Sequence, residues 1–441
     1  DYQLALRVAA AAGVPGKVKV VHHFYSDFEA ALLKDDDLDM VIGGFTPYKA
    51  AGVAWSEPYL DWGLCLMVRA DSPIQTTADL VGKTIAVYED PAAVDAAWMT
   101  EALEAAGVAR GATVTSVELV RYIGTGQMGR NARFQLTWDQ PEGRPATVVG
   151  KFPTDDANAR ASAFANGSYI KEWAFYAHLK PTVSIRTPEV WVARFDEAGQ
   201  NFTFIMEDIA GSAQGDQMRG LNEAEASLAV EQLVRLHAPH WGNEALMDSL
   251  GGGMTKQEHG ERLQMFYAMT MEGSLARLGA QLSPEATQLV HDLAPLVGKW
   301  LVCSTSPYTL THMDYRPDNF LFAVEPDSPP LVVVDWQTIG FALGTNDLAY
   351  MIGGSFEAEE RRAVEGRLVE QYRQQLAEHG VQYDADTCWT DYRLGSLWGV
   401  VMSILAAMMA EQTERGDLML FTMLRRHAQH ALDLDALSLL Q

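Results

Sequence analysis

The sequence predicts an α+β protein: a β-rich lobe followed by a larger helical lobe, with a short α/β segment in front. Three observations carry this. Residues 1–90 alternate strand-like and helical patterns, and residues 114–208 are dominated by strand-like runs joined by turn residues. From 221 onward nearly every stretch has helical periodicity, except the block 308–337. At 441 residues, with 48% apolar and 21% charged side chains, the chain is long enough for two or three domains with a sizeable core.

In order, YQLALRVAAAAGV (2–14) reads as an alanine-rich helix and VKVVHHF (18–24) as a strand. DFEAALL (27–33) follows as a short helix and LDMVIGGF (38–45) as a buried strand. The apolar run YLDWGLCLMVRA (59–70), a short helix at 76–82 and the strand KTIAVYED (83–90) complete this segment. Strands alternating with helices imply parallel pairing. A longer helix then covers 91–107. VTSVELVRYIG (114–124), NARFQLTWDQ (131–140) and PATVVGKFP (145–153) read as antiparallel strands, with turn chemistry at PEGRP (141–145). A helix at 163–179 and a hairpin at 191–208 with the turn DEAGQ come next. The expected domains are 1–91, 92–210 and 211–441.

Composition excludes several functions. A formal net charge of −25 without a Lys/Arg cluster argues against nucleic acid as a partner. The acidity fits a solubilising surface first and a preference for cationic substrates second. Three widely separated cysteines (Cys65, Cys303, Cys388) fit a reducing, cytoplasmic setting and no zinc ribbon or disulfide scaffold. The most apolar stretch, LWGVVMSILAAMMA (397–410), is shorter than the roughly 20 residues that span a bilayer, so it is expected as a core helix. The chain opens in mid-pattern at Asp1, as a fragment or processed form would, and no obligate protein partner is indicated.

Chemistry concentrates in a few places. IGTGQMG (123–129) sets Gly124, Gly126 and Gly129 between two strand patterns rather than between a strand and a helix. That argues against a dinucleotide fold and for a turn whose backbone amides cover a nucleotide's phosphates; a plain flexible hairpin is the alternative. Lys151 interrupts an apolar strand, and Glu172 lies on a following helix among aromatic residues. A lysine held by a carboxylate can pair with α- and β-phosphates. FIMEDIAG (204–211) is an apolar strand ending in two acids and on sequence alone just a strand end; in a two-lobed kinase its Met206, Glu207, Asp208 and Ile209 would be the connection whose backbone meets adenine. In THMDYRPDNF (311–320) and LVVVDWQ (331–337), Asp314 is placed to accept a hydroxyl proton. Asn319 and Asp335 offer the oxygen ligands that magnesium prefers. Pro317 stiffens the loop, and His312 is expected to orient it by hydrogen bonding. Arg316 and Asp318 are expected to be loop-internal partners or solvated.

With those motifs in place, residues from about 93 to the C-terminus resemble the aminoglycoside phosphotransferase/choline kinase-like superfamily, and within it the ecdysteroid-kinase-like branch. The elements are IGTGQMG, the lysine of VVGKFP, KEWAFYAHL, MEDI, LHAPHW (236–241), HMDYRPDN and VDWQTIGFALGTNDLAY (334–350). The resemblance implies a two-lobed protein-kinase-like fold and ATP- or GTP-dependent, magnesium-assisted transfer of a phosphoryl group to a small hydroxylated molecule. It also implies that Asp347 caps or braces a helix. One departure is plain: the family usually has glycine between the loop's His and Asp, where this chain has Met313. Residues 1–90 resemble part of a family 3 extracellular solute-binding protein, carried by the stretch from LDMVIGGF to IAVYED (38–90), and the opening strand and returning half are missing. Lys49 stands where that family's carboxylate-binding arginine falls. Competing expectations are therefore a non-catalytic nucleotide-binding protein and a solute-binding module in residues 1–91. Met265, Phe266, Tyr267, Met269, Trp398 and Met402 are expected to be mostly core, with any that line a pocket favouring an apolar acceptor.

Overall fold

The computed structural model describes residues 94–124, 128–196, 201–246 and 255–441, with side chains apart from those of 157 and 158, and the backbone of five short strands within residues 1–93. The chain divides into two compact units, Asp1–Ala177 with Glu189–Asp208, and His178–Pro188 with Ile209–Gln441.

In the first unit the five early strands are β1 (Lys19–His22), β2 (Met40–Gly43), β3 (Val53–Trp55), β4 (Cys65–Arg69) and β5 (Thr84–Val87), in the order β1-β5-β2-β4-β3. β5 runs parallel to both β1 and β2, as the alternating pattern predicts. β4 is instead antiparallel to β2 and β3. The run 56–64 between β3 and β4 is too short for the crossover a parallel pair needs. The carrying side chains of the solute-binding resemblance, Lys49 included, lie outside the described residues.

Helix α1 (Ala96–Ala105) starts where the Asp95 carboxylate accepts the Trp98 N–H at 2.8 Å, an N-cap. It buries Met99, Ala102 and Leu103, the i, i+3, i+4 stripe of one helix face. That stripe lies on a five-stranded antiparallel sheet of β6 (Val114–Ile123), β7 (Gly129–Trp138), β8 (Thr147–Pro153), β9 (Val190–Asp196) and β10 (Asn201–Glu207), ordered β6-β7-β8-β10-β9. Period-2 alternation aims Ala132, Phe134, Leu136 and Trp138 of β7 at α1. The opposite face, with Val149, Phe202, Phe204 and Met206, packs on Ala163 and Tyr169. Those two residues belong to α2 (Ala157–Ala165) and α3 (Ser168–Ala174), which replace the single helix expected at 163–179. Gly167 breaks it at φ +71, a left-handed conformation natural to glycine, and a π-turn at Phe175–Leu179 follows α3.

The second unit is mainly helical: α4 (Glu223–His237), α5 (Lys256–Leu278), α6 (Pro284–Leu293), α7 (Val297–Cys303), α8 (Gly344–Ser355), α9 (Ala358–Glu378), α10 (Ala385–Met409) and α11 (Glu414–Asp433). Two small antiparallel sheets interrupt the helices, β11 (Ser212–Gln214)-β13 (Phe320–Ala323)-β14 (Leu331–Val333) and β12 (Thr309–Thr311)-β15 (Gly340–Ala342). The α+β arrangement expected of the chain is observed: an antiparallel sheet unit, then a mainly helical unit. The apolar stretch at 397–410 falls in α10, whose Leu397, Val400, Val401, Ile404 and Ala407 are core residues. Among the described residues α10 is the one helix long and apolar enough by composition to cross a membrane, and 67% of its apolar window is buried inside the protein.

One core expectation needs correction. Tyr267 and Trp398 are buried, and Met402 packs partly on the core. Met265, Phe266 and Met269 are exposed, at 54%, 41% and 70%. They stand on the solvent side of α5, which meets α7 and α10 with its other face.

Candidate active site

The sheet unit holds the first group of candidate residues. Gly124 follows β6 at φ +78, where a side chain would be strained. Gly129 opens β7; a Cβ there would sit 3.2 Å from the Phe152 carbonyl oxygen and 3.3 Å from Lys151 Cε. Glycine at 129 thus leaves room for the lysine stem to pass. Gly126 lies outside the described residues. Lys151 is on β8, paired in register with Asn131 and Phe204. Its Nζ donates at 2.7 Å to both carboxylate oxygens of Glu172, and both residues are buried. Glu172 faces inward because α3 restarts after Gly167. Tyr169, one turn earlier on the same face, donates its hydroxyl to the Met128 carbonyl at 2.7 Å. One short helix face therefore holds both the lysine and the end of the glycine turn. Burial raises the Tyr169 phenol pKa, so it stays a donor.

The connection 206–209 is largely committed to structure. Met206 and Ile209 are buried, and the Glu207 amide donates to the Glu189 carbonyl at 2.8 Å. Asp208 is not a solvent-facing acid: it takes a 2.8 Å hydrogen bond from Arg133 of β7 with its side chain 2% exposed. The boundary between the two units falls between Asp208 and Ile209.

The helical unit holds the second group. His312 follows β12 and is fully buried; its Nε2 lies 3.1 Å from the Val334 carbonyl oxygen and its Nδ1 takes the Asp314 N–H at 3.3 Å. Its ring also packs on Trp336, centroids 4.7 Å apart. It braces the loop, as expected. Asp347 does something other than cap a helix. Although in the first turn of α8, it accepts the His312 N–H at 2.6 Å and the Met313 N–H at 2.8 Å. His237 Nε2 lies 3.3 Å from the same carboxylate. Met313 sits at φ +67, the left-handed region that favours glycine; the Asp347 carboxylate and a 3.0 Å bond from Trp398 Nε1 to its carbonyl hold it.

Asp314 is tightly held. Arg316 Nε lies 3.0 Å from Oδ1, the Tyr350 hydroxyl donates to Oδ1 at 3.2 Å, and Asn319 Nδ2 donates to Oδ2 at 3.0 Å. Burial works against the Arg316 charge, but Asp314, and after it Tyr350 and Asp318, outweigh burial and raise its pKa. Burial, then the Asp314 charge, push the Tyr350 phenol well above its usual value, so it remains a donor. Asp318 bonds Arg316 at 2.8 Å and accepts the Gln217 N–H at 2.8 Å, a loop-internal and packing role.

Asn319 closes a 3₁₀ turn, Pro317–Asn319, and its carbonyl accepts the Val334 N–H at 3.0 Å. The β13–β14 ladder thus brings Asn319 alongside the residue before Asp335, which itself sits at φ +68. With its amide nitrogen committed to Asp314, Asn319 has its side-chain oxygen to offer a cation. Asn319 and Asp335 form a sparse set of hard oxygen donors. No group of three His, Cys, Asp or Glu converges among the described residues. Such a set fits a magnesium ion that keeps waters and phosphate oxygens, not a zinc or calcium cage. Sequence reading passed over Tyr350 and misjudged Asp347. The signal available was their i, i+3 spacing in NDLAY, which places both on one helix face.

The model of the ecdysteroid kinase-like family matches residues 128–383, more than half of the chain and inclusive of Lys151, Glu172, Asp314, Asn319 and Asp335. The chain belongs to the ecdysteroid kinase-like family. No curated protein matches it. Among solved structures, this family member is similar to a Ralstonia eutropha JMP134 protein provisionally described as an aminoglycoside phosphotransferase, with 16% identity, 76% of this chain and 97% of that one covered, and a TM-score of 0.46. It is also similar to choline kinase LicA of Streptococcus pneumoniae (13% identity, 76% and 99% covered, TM-score 0.39) and to ADP-bound aminoglycoside phosphotransferase APH(2'')-Ib (16%, 75% and 98%, 0.42). With TM-scores below 0.5, these likenesses add nothing to the family assignment.

Proposed function

We propose that this family member is a small-molecule kinase, transferring the γ-phosphoryl group of ATP or GTP to a hydroxyl of a small acceptor. The observation that carries the proposal is Asp314, a carboxylate fixed by Arg316, Tyr350 and Asn319, with Asn319 one ladder position from Asp335. In the reaction the acceptor oxygen bonds to the γ-phosphorus and the bond to the β,γ-bridging oxygen breaks. The hydroxyl proton passes to Asp314, and the nucleoside diphosphate leaves. Lys151, held by Glu172, pairs with the α- and β-phosphates, and backbone amides of the 124–129 turn cover them. Asn319 and Asp335 would hold magnesium, which neutralises charge on the transferring group. Met206, Glu207, Asp208 and Ile209 contribute backbone to the base pocket, with Asp208 acting through Arg133 to fix its shape. We place the reaction in the cytoplasm, where nucleoside triphosphate is supplied.

The test is ADP or GDP release against a panel of hydroxylated acceptors, scored over the rate without acceptor. An acceptor-dependent, EDTA-sensitive rate is expected. Asp314→Ala and Asp335→Ala are each expected to lower it by at least about a hundredfold. Full activity in both variants would sink the assignment.

A further inference from the structure

Helix α8 (Gly344–Ser355) grips the 312–319 loop at two levels. Asp347 takes two of its backbone amides, and Tyr350, one turn on, reaches the Asp314 side chain with a 3.2 Å hydrogen bond to Oδ1. The Tyr350 ring has little freedom to do otherwise. It is buried and lies face to face with the His427 imidazole of α11, centroids 4.9 Å apart and planes 2° from parallel.

His427 itself occupies a slot made by glycines. A Cβ at Gly399 would run into His427 Nδ1, whereas one at Gly353 would overlap His430 first and come within 3.0 Å of His427 Nδ1, and one at Gly354 would come within 3.1 Å of Nε2. Gly353 and Gly354 are on α8 and Gly399 is on α10, so glycines of two helices border the flat ring, with Gly399 closest to it. Neither ring nitrogen has a hydrogen-bond partner among the described residues. Burial, with the charges of His430, Arg426 and Arg361 adding to it, keeps the imidazole neutral. A buried imidazole without a hydrogen bond is costly. Its one specific contact with the loop machinery is the stack that sets the Tyr350 ring plane.

We propose that Tyr350 is a positioning residue for Asp314. Its hydroxyl fixes the carboxylate's rotation, and the glycine-lined His427 stack fixes Tyr350. The inference rests on the reading of Asp314 as the group that accepts the acceptor's proton. Arg316 and Asn319 also touch Asp314, but both belong to the same loop, and Arg316 meets the helical core only through a 3.9 Å contact with Met419 Sδ. Tyr350 reaches the carboxylate directly from a helix of that core.

The deciding variant is Tyr350→Phe, which keeps the ring and its stack and deletes one hydroxyl. ADP release from MgATP with the best acceptor of the panel should show kcat lowered about tenfold or more, the worth of one hydrogen bond to a charged group. KM for ATP should stay within about twofold. In an Asp314→Ala background, the same substitution should cost the residual rate nothing further, because Tyr350 acts only through that carboxylate. A melting-temperature cycle over the same four proteins should show matching coupling, a readout independent of turnover. His427→Leu leaves the hydroxyl in place and removes the stacked ring; it should lower kcat in the same direction without changing KM for ATP. If Asp314→Ala keeps full turnover, the base assignment falls and Tyr350 with it. If Asp314→Ala is impaired, a wild-type rate in Tyr350→Phe, or an equal loss in both backgrounds, overturns the positioning role alone. A folded His427→Leu protein with unchanged kcat overturns the part played by the stack.

Discussion

Replacing Met313 by glycine and, separately, by alanine should reverse the usual stability order of the two small residues. At an ordinary helical position alanine is the more stable by about 0.5–1 kcal/mol, because glycine loses more backbone freedom on folding. Met313 is not at an ordinary position: its φ is +67, where a Cβ costs roughly 1–2 kcal/mol. Glycine is freed of that strain and alanine is not, so the net preference is for glycine by about 0.5–1 kcal/mol. Both variants lose the methionine side chain, which packs on Gly340 and partly on the helical core. That loss is of order 1–2 kcal/mol for a half-buried side chain, so both should melt below the parent. Methionine is tolerated at 313 because two amides bonded to the buried Asp347 carboxylate, each worth about 1.5–3 kcal/mol, outweigh the strain. The assay is thermal unfolding of the parent and both variants, with exposed Ala363→Gly on α9 as the ordinary-backbone control. Met313→Gly should melt about 1–4 °C above Met313→Ala, while Ala363→Gly falls below the parent. If Met313→Ala matches or exceeds Met313→Gly, the strain assigned to the left-handed backbone at 313 is wrong.

Glu172→Gln should destabilise the sheet unit by roughly 3–5 kcal/mol, since it leaves the buried Lys151 ammonium without its counter-charge. The pair Lys151→Met/Glu172→Met should recover most of that stability while still failing to bind ATP in a titration, which separates folding from phosphate recognition. Asp347→Asn can offer only one oxygen to the two loop amides, so a drop of about 2–4 kcal/mol in unfolding free energy, with a matching loss of turnover, is expected. Glu357, hydrogen-bonded to Arg425 and Arg426, has its pKa depressed from 4.5 to about 2, the Arg425 hydrogen bond being the largest cause. Its contribution is therefore complete above pH 4.5 and is lost as pH falls toward 2. With the side chain 48% exposed, it amounts to less than about 1 kcal/mol. Melting curves of Glu357→Gln should show a shallower acid limb than the parent over that window, and an unchanged limb would refute the assignment.

Local chemistry settled much of this protein in advance. Alternation in NARFQLTW and the glycines around it required an antiparallel sheet, and helical periodicity after 221 required a helical unit; both depend only on near neighbours in the chain. Lysine in an apolar strand and an acid on the next helix are also visible locally, because a buried charge calls for a counter-charge. The break at Gly167 was equally written in its Asn-Gly pair, though a continuous helix was read across it. Contacts between residues far apart in sequence were not legible. That Asp347 would turn to loop amides some 34 residues away rather than to its own helix depends on how α8 docks against that loop. That Met265, Phe266 and Met269 would be solvent-facing depends on which side of α5 meets α7 and α10, and their apolar character alone could not choose. His427 carries no motif, and Tyr350 only closes the NDLAY run. Their pairing follows from tertiary packing, in which glycines of two other helices border an imidazole stacked on the tyrosine whose hydroxyl meets Asp314.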